Sequence, residues 1–152
     1  LNEFNDLDHI RSECLSMVKK RAAVSAAAAA VPLPGIDVAT DVSLLIELIP
    51  AITARFGLSN EHIERLPPEQ QALIYGMVKK LGNMMIGRVL TQELLLMLLR
   101  KVGVRVGLKQ VARWVPLLGQ AAAAGLSYSA MVYLGHAHVE HCYQIARRLK
   151  QL

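Results

Sequence analysis

Cysteine is nearly missing. The 152 residues contain two, Cys14 and Cys142, which excludes a disulfide scaffold and a Cys-rich zinc module. Aromatic residues are scarce, with one Trp, four Tyr and two Phe. Alternating β-branched runs are also missing, so nothing reads as a strand. No segment matches G-x-x-x-x-G-K-[ST], the loop whose backbone N–H groups cradle phosphate, so nucleotide hydrolysis by these residues is not expected. The H-E-x-x-H spacing of zinc proteases is missing. The G-x-S-x-G elbow fails because Ser129 stands where Gly125-Leu126-Ser127-Tyr128 would need a glycine. With no flanking signature at either cysteine, the chain is read as a non-enzyme with no cofactor.

Apolar side chains are plentiful. They make up 53% of the sequence, with a net charge of +5. That excludes a disordered chain and allows one buried core. Charge is uneven. Residues 1–70 carry six basic and ten acidic residues, and residues 71–152 carry eleven basic and two acidic. The second half should therefore face something anionic.

The opening LNEFNDLDHI is acidic, unlike the basic n-region and apolar run of a secretory signal, and Leu1 reads as an interior start of a longer protein. Residues 22–36 are uncharged but short and broken by Pro32 and Pro34. Residues 114–135 form a 22-residue uncharged stretch that is long enough to span a bilayer. Its Pro116, glycines and serines favour a buried helix of a bundle instead.

The spacing predicts one all-α domain over 1–152, a bundle of about six helices. The first runs over about 7–30, led by Asn5, Asp6 and Asp8, whose oxygens and charge suit a helix N-terminus. The second runs over about 37–56, with Pro50 inside and Gly57 as its stop. Ser59 caps a short helix to about Leu66, and Pro67-Pro68 starts another to about Lys80. After a break at Gly82-Asn83, a helix over 84–100 is expected. Its run Leu94 to Leu99 is apolar all round, as a central helix would be. Gly103 should separate it from a basic helix ending near Trp114, and a last helix covers about 117–149.

Two turns echo each other. Val31-Pro32-Leu33-Pro34-Gly35 and Val115-Pro116-Leu117-Leu118-Gly119 agree at four of five positions. They suggest two related Pro-x-x-Gly helical hairpins packed together. Small-residue faces such as 121–125 also permit pairing of two copies.

Three groups of polar residues carry possible chemistry. Lys101, Arg105, Lys109 and Arg113 recur at i+4 spacing, an arc of roughly 120°, closed by Trp114. This suits an interfacial helix on anionic lipid. Stacking aromatics and a reading motif are missing, so nucleic acid is not expected as a partner. In Gly135-His136-Ala137-His138-Val139-Glu140-His141-Cys142, His136 and Glu140 share one helix face, and His138, His141 and Cys142 another. His136, His138, Glu140 and His141 are the candidate metal ligands, although local pairing on a partly exposed helix explains the same residues and no metal is expected. Asp37 and Asp41, four apart, could perturb each other, but capping or pairing is the usual role.

Val31-Pro-Leu-Pro-Gly-Ile-Asp-Val-Ala-Thr-Asp-Val-Ser-Leu-Leu45 resembles the first long hairpin in the helical domain of interferon-inducible immunity-related GTPases. Arg55-Phe-Gly-Leu58 resembles the chain after it, and Val115-Pro-Leu-Leu-Gly-Gln-Ala-Ala-Ala-Ala-Gly-Leu-Ser-Tyr128 the last hairpin of that domain. Bacterial helical domains of the YcjF and EcsC groups carry similar hairpins. The resemblance implies an all-α domain that accompanies a GTPase domain and works at membranes. The expected function is non-catalytic: cytoplasmic, peripheral association with an anionic membrane surface, and contact with a GTPase domain or another protein. The alternative is a free-standing bacterial effector whose hairpins, 22–46 and 114–135, insert and permeabilise.

Overall fold

The computed structural model describes the backbone of residues 2–30 and 36–152. Side chains are described outside 1–3, 29, 31–39 and 103–127. Five helices follow in order: α1 (Asn2–Ala29), α2 (Ile36–Arg55), α3 (Asn60–Glu64), α4 (Pro68–Leu81) and α5 (Gln92–Lys150). Among the described residues there is no strand. The all-α class and the bundle expected from the spacing are what the chain adopts, with five helices instead of about six.

Local chemistry accounts for most boundaries. Ser59 accepts the His62 N–H and caps α3. Pro68 opens α4, where a missing N–H costs nothing. Gly82 closes α4 at φ 69°, a left-handed backbone that favours glycine. Pro50 sits inside α2.

Several expectations need correction. α1 begins at Asn2, so Asn5, Asp6 and Asp8 lie in its first turns and do not precede it. No helix forms over 84–91, because the Asn83 side chain takes the N–H groups of Met85 and Ile86 and Gly87 adopts φ 75°. α5 starts instead at Gln92, capped by Thr91, whose hydroxyl accepts the Leu94 N–H. The expected break at Gly103 is also missing, since α5 runs through it. One glycine costs a helix only about 1 kcal/mol relative to Ala.

The run Leu94–Leu99 is not uniformly central. Leu95 is fully buried, whereas Met97 is exposed and its neighbours are half-buried. Pro32, Pro34 and Gly35 lie outside the described residues. Pro116 and Gly119 fall within the span of α5, so the break expected between Trp114 and Leu117 is missing as well; their side chains lie outside the described residues.

The core lies where α1, α2 and α5 meet. α1 turns Leu7, Cys14, Val18, Ala22 and Ser25 inward at helical spacing. α1 is antiparallel to the C-terminal half of α5: Arg11 pairs with Glu140, Tyr143 donates to Asp8, and Arg147 lies over the Phe4 ring. It is antiparallel to α2 as well, through Arg55–Glu13, Arg21–Glu47 and the buried Ser25–Asp41 hydrogen bond. α5 cannot be a straight rod. Leu90 lines a cleft with Thr53, and Thr53 contacts His138. A straight helix from Gln92 to His138 would be about 69 Å long.

α1 and α5 approach most closely at Gly135. A Cβ there would stand 2.6 Å from Val18 Cγ1. Gly76, inside α4, has nothing within 4 Å of an added Cβ. In urea unfolding, Gly135→Leu is therefore expected to lose about 1–3 kcal/mol through overpacking. Gly76→Ala should gain up to about 1 kcal/mol from helix propensity alone.

Candidate functional site

The polar centre of the molecule is His138. It is fully buried, and α5 carries it between α1 and α2. Buried ring nitrogens need partners, and these come from two other segments. Nε2 lies 2.7 Å from Thr53 Oγ1 on α2. Nδ1 lies 3.2 Å from Asn83 Nδ2, just past α4.

The geometry assigns donor and acceptor at both ring nitrogens of His138. Thr53 gives its single hydroxyl hydrogen to the Ile49 carbonyl, 2.8 Å away. Its oxygen can then only accept, so His138 Nε2–H is the donor and Nδ1 is bare. Asn83 Oδ1 accepts the backbone N–H groups of Met85 at 2.7 Å and Ile86 at 2.9 Å. That orients the amide so that Nδ2 donates to His138 Nδ1 and, at 3.1 Å, to His141 Nδ1. Both Asn83 hydrogens and both lone-pair directions are used. Cys142 Sγ completes the surroundings, 3.6 Å from His138 Nε2.

Burial keeps these groups neutral. Loss of solvent, with some repulsion from His141, lowers His138 from 6.5 to about 3. Burial also lowers His141, opposed by the charge of Glu140. Burial pushes the Cys142 thiol far up, and the Cys14 thiol up as well. Neither cysteine is poised as a thiolate nucleophile.

His138, His141 and Cys142 do share one side of the helix, as their spacing suggested, and meet around Asn83 and Thr53. The picture of a partly exposed helix fails at His138, which is enclosed because α1 and α2 both cover that side. Glu140 and His136 lie elsewhere. Glu140 receives Arg11, with Nη2 at 2.5 Å and Nε at 2.7 Å. His136 borders an open groove of about 590 Å³ with Tyr128, Tyr133 and Glu140. The four candidate ligands thus divide between two sides of α5. Among the described residues no three His, Cys, Asp or Glu side chains are placed to hold a metal.

Asp41 is buried and accepts from Ser25, a pairing role. The side chain of Asp37 is outside the described residues. In the basic stripe, Lys101 is exposed, while the side chains of Arg105, Lys109, Arg113 and Trp114 lie outside the described residues. Thr53 and Asn83 were missed from sequence. Gly82-Asn83 signals a helix end, but nothing local connects Asn83 to histidines 55 and 58 positions later. Comparison with family models, with curated proteins and with solved structures finds no match for this chain.

Two outcomes follow from this centre. Thr53→Val removes the hydroxyl partner of His138 Nε2–H and leaves the Ile49 carbonyl as its remaining acceptor, and should cost about 1 kcal/mol in urea unfolding. His138 is held neutral in the fold but binds a proton at 6.5 when unfolded, so the unfolded state binds more protons between those values. Stability should therefore fall as pH drops from about 6.5 towards 3. His138→Gln should flatten that slope in unfolding measured across the range.

Proposed function

We propose that this is a non-catalytic helical domain that docks on anionic membrane surfaces, on their cytoplasmic side, and binds partner proteins. The observation that carries this reading is the unequal use of charge. Some acidic side chains of the first half are engaged within the chain: Glu13 with Arg55, Glu47 with Arg21, and Asp41 with Ser25. The second half has only two acids, and Arg11 takes one of them, Glu140. Exposed Lys79, Lys80, Arg88, Arg100 and Lys101 have no acidic partner among the described residues. The stripe Lys101, Arg105, Lys109 and Arg113, with Trp114, extends this surplus along α5. Anionic headgroups attract such residues at about 1 kcal/mol each near the surface.

A catalytic reading has less support. The most perturbed histidine is enclosed, away from any substrate, and both thiols are suppressed. The resemblance to the helical domain of immunity-related GTPases makes a GTPase domain the first partner to test.

The permeabilising alternative needs apolar segments that can leave the bundle. Among the described residues, the stretch Thr40–Glu64 is long and apolar enough to cross a membrane, and half of it is buried in the structure. Core helices of soluble bundles share those properties.

Replacing Lys101, Arg105, Lys109 and Arg113 together with Gln should weaken binding to phosphatidylglycerol vesicles at low salt by about two to three orders of magnitude. Phosphatidylcholine vesicles should bind neither form, and raised salt should mimic the substitutions. Unchanged affinity of the four-fold variant would remove the stripe from this role. Dye release from the same vesicles would favour the permeabilising alternative.

A further inference from the structure

The segment 84–90 reads Met-Met-Ile-Gly-Arg-Val-Leu. Five of its seven side chains are large and apolar, one is a cation and none is an acid. Met85 and Ile86 are buried in the core, Arg88 is exposed, and Val89 is 80% exposed. Left-handed glycines stand just before the segment, at Gly82, and within it, at Gly87. Its backbone is not held by a helix ladder. The N–H groups of Met85 and Ile86 both end on one atom, Asn83 Oδ1. Asn83 in turn keeps its orientation by donating to the bare Nδ1 atoms of His138 and His141. The loop is thus tied down through an amide that depends on two unprotonated histidines.

We propose that Asn83, His138 and His141 form a proton-operated latch that holds loop 84–90 at neutral pH and releases it in acid as an apolar, singly cationic segment for an anionic bilayer. The release follows from donor and acceptor counting. A proton on either Nδ1 turns that acceptor into an N–H donor facing the Asn83 N–H. If Asn83 keeps its orientation, two donors oppose each other beside a buried charge. If the amide flips, Oδ1 serves the imidazolium and abandons Met85 and Ile86. Either response unties the loop.

His141 takes the first proton. It is half-buried where His138 is enclosed, and Glu140 favours its charged form. Among the described residues, the other titratable groups acting on the pair are Cys142, against His138, and Cys14 on α1, which acts on Cys142. Both are neutral thiols. α2 presents Thr53, and the turn after α4 presents Asn83; neither titrates.

The latch rests on this geometry alone; the destination of the released loop rests on the membrane reading above. Hydrogen exchange of the full chain at pH 7.5 and 4.5, corrected for intrinsic rates, separates the two. The Met85 and Ile86 amides should lose protection at least about tenfold at pH 4.5, while the amides of α1 and of α5 near His138 keep theirs. His141→Gln retains an acceptor without the titration and should move release down by at least about one pH unit. Asn83→Asp replaces the donor by an acceptor, so its loop should be better protected at pH 4.5 than at 7.5. Protection of Met85 and Ile86 that persists at pH 4.5 would overturn the latch, as would simultaneous loss from every helix. In co-sedimentation with phosphatidylglycerol vesicles, acid should raise binding several-fold, and Val89→Asp should cancel the rise. Loop release with no gain in vesicle binding would retain the latch and overturn the membrane as its target.

Discussion

An imidazole buried at the meeting point of three helices has two nitrogens, and each must find a partner without help from water. That requirement sets the register of the molecule. His138 reaches Thr53 on α2 through one nitrogen and Asn83 after α4 through the other. Apolar packing alone would tolerate small slides of these helices, because hydrophobic contact has no direction. The hydrogen bonds at His138 do not tolerate them. A shift of one helical turn would strand a donor on one side and an acceptor on the other. Asn83 extends the constraint by joining this centre to a second histidine and to the backbone of the following loop.

Much of the fold was legible because helix grammar is local. Ser59, Pro68, Gly57 and Gly82 act on the residues beside them, so their roles could be read from adjacency. The failures have a common physical origin. The helix expected over 84–100 was drawn from an apolar run, and apolar runs do not reveal that a side chain outbids the helix for two backbone N–H groups. The uniform burial expected for Leu94–Leu99 failed for a related reason, since only Leu95 meets neighbours on its whole circumference. Asn83 itself was readable as a helix stop but not as a hub. Its partners are set by how α4 and α5 pack, which one sequence does not encode in any short window.

Charge organises the surface as hydrogen bonding organises the centre. Arg11 donates to Glu140 while lying over Tyr143, and Arg147 lies over both Phe4 and Tyr143. These contacts fasten α1 to the end of α5 along a seam where rings and guanidinium groups alternate. Exposed pairs of this kind contribute little individually, and stacking adds about 0.5–1 kcal/mol at such sites. They also engage Glu140, one of the two acids of residues 71–152.

The pairing of α1 with the last turns of α5 also has a consequence in time. Glu140 follows Arg11 by 129 positions, and Tyr143 follows Asp8 by 135. Contacts so distant along the chain close large loops before they return any stabilisation. As the polypeptide grows from the ribosome, the inward face of α1, with Leu7, Cys14 and Val18, emerges long before the α5 residues that complete its cover exist. Of the five helices described, α1 is made before the others, yet its side facing α5 is sealed last, and until then that apolar stripe is open to whatever chaperone or neighbouring chain it meets.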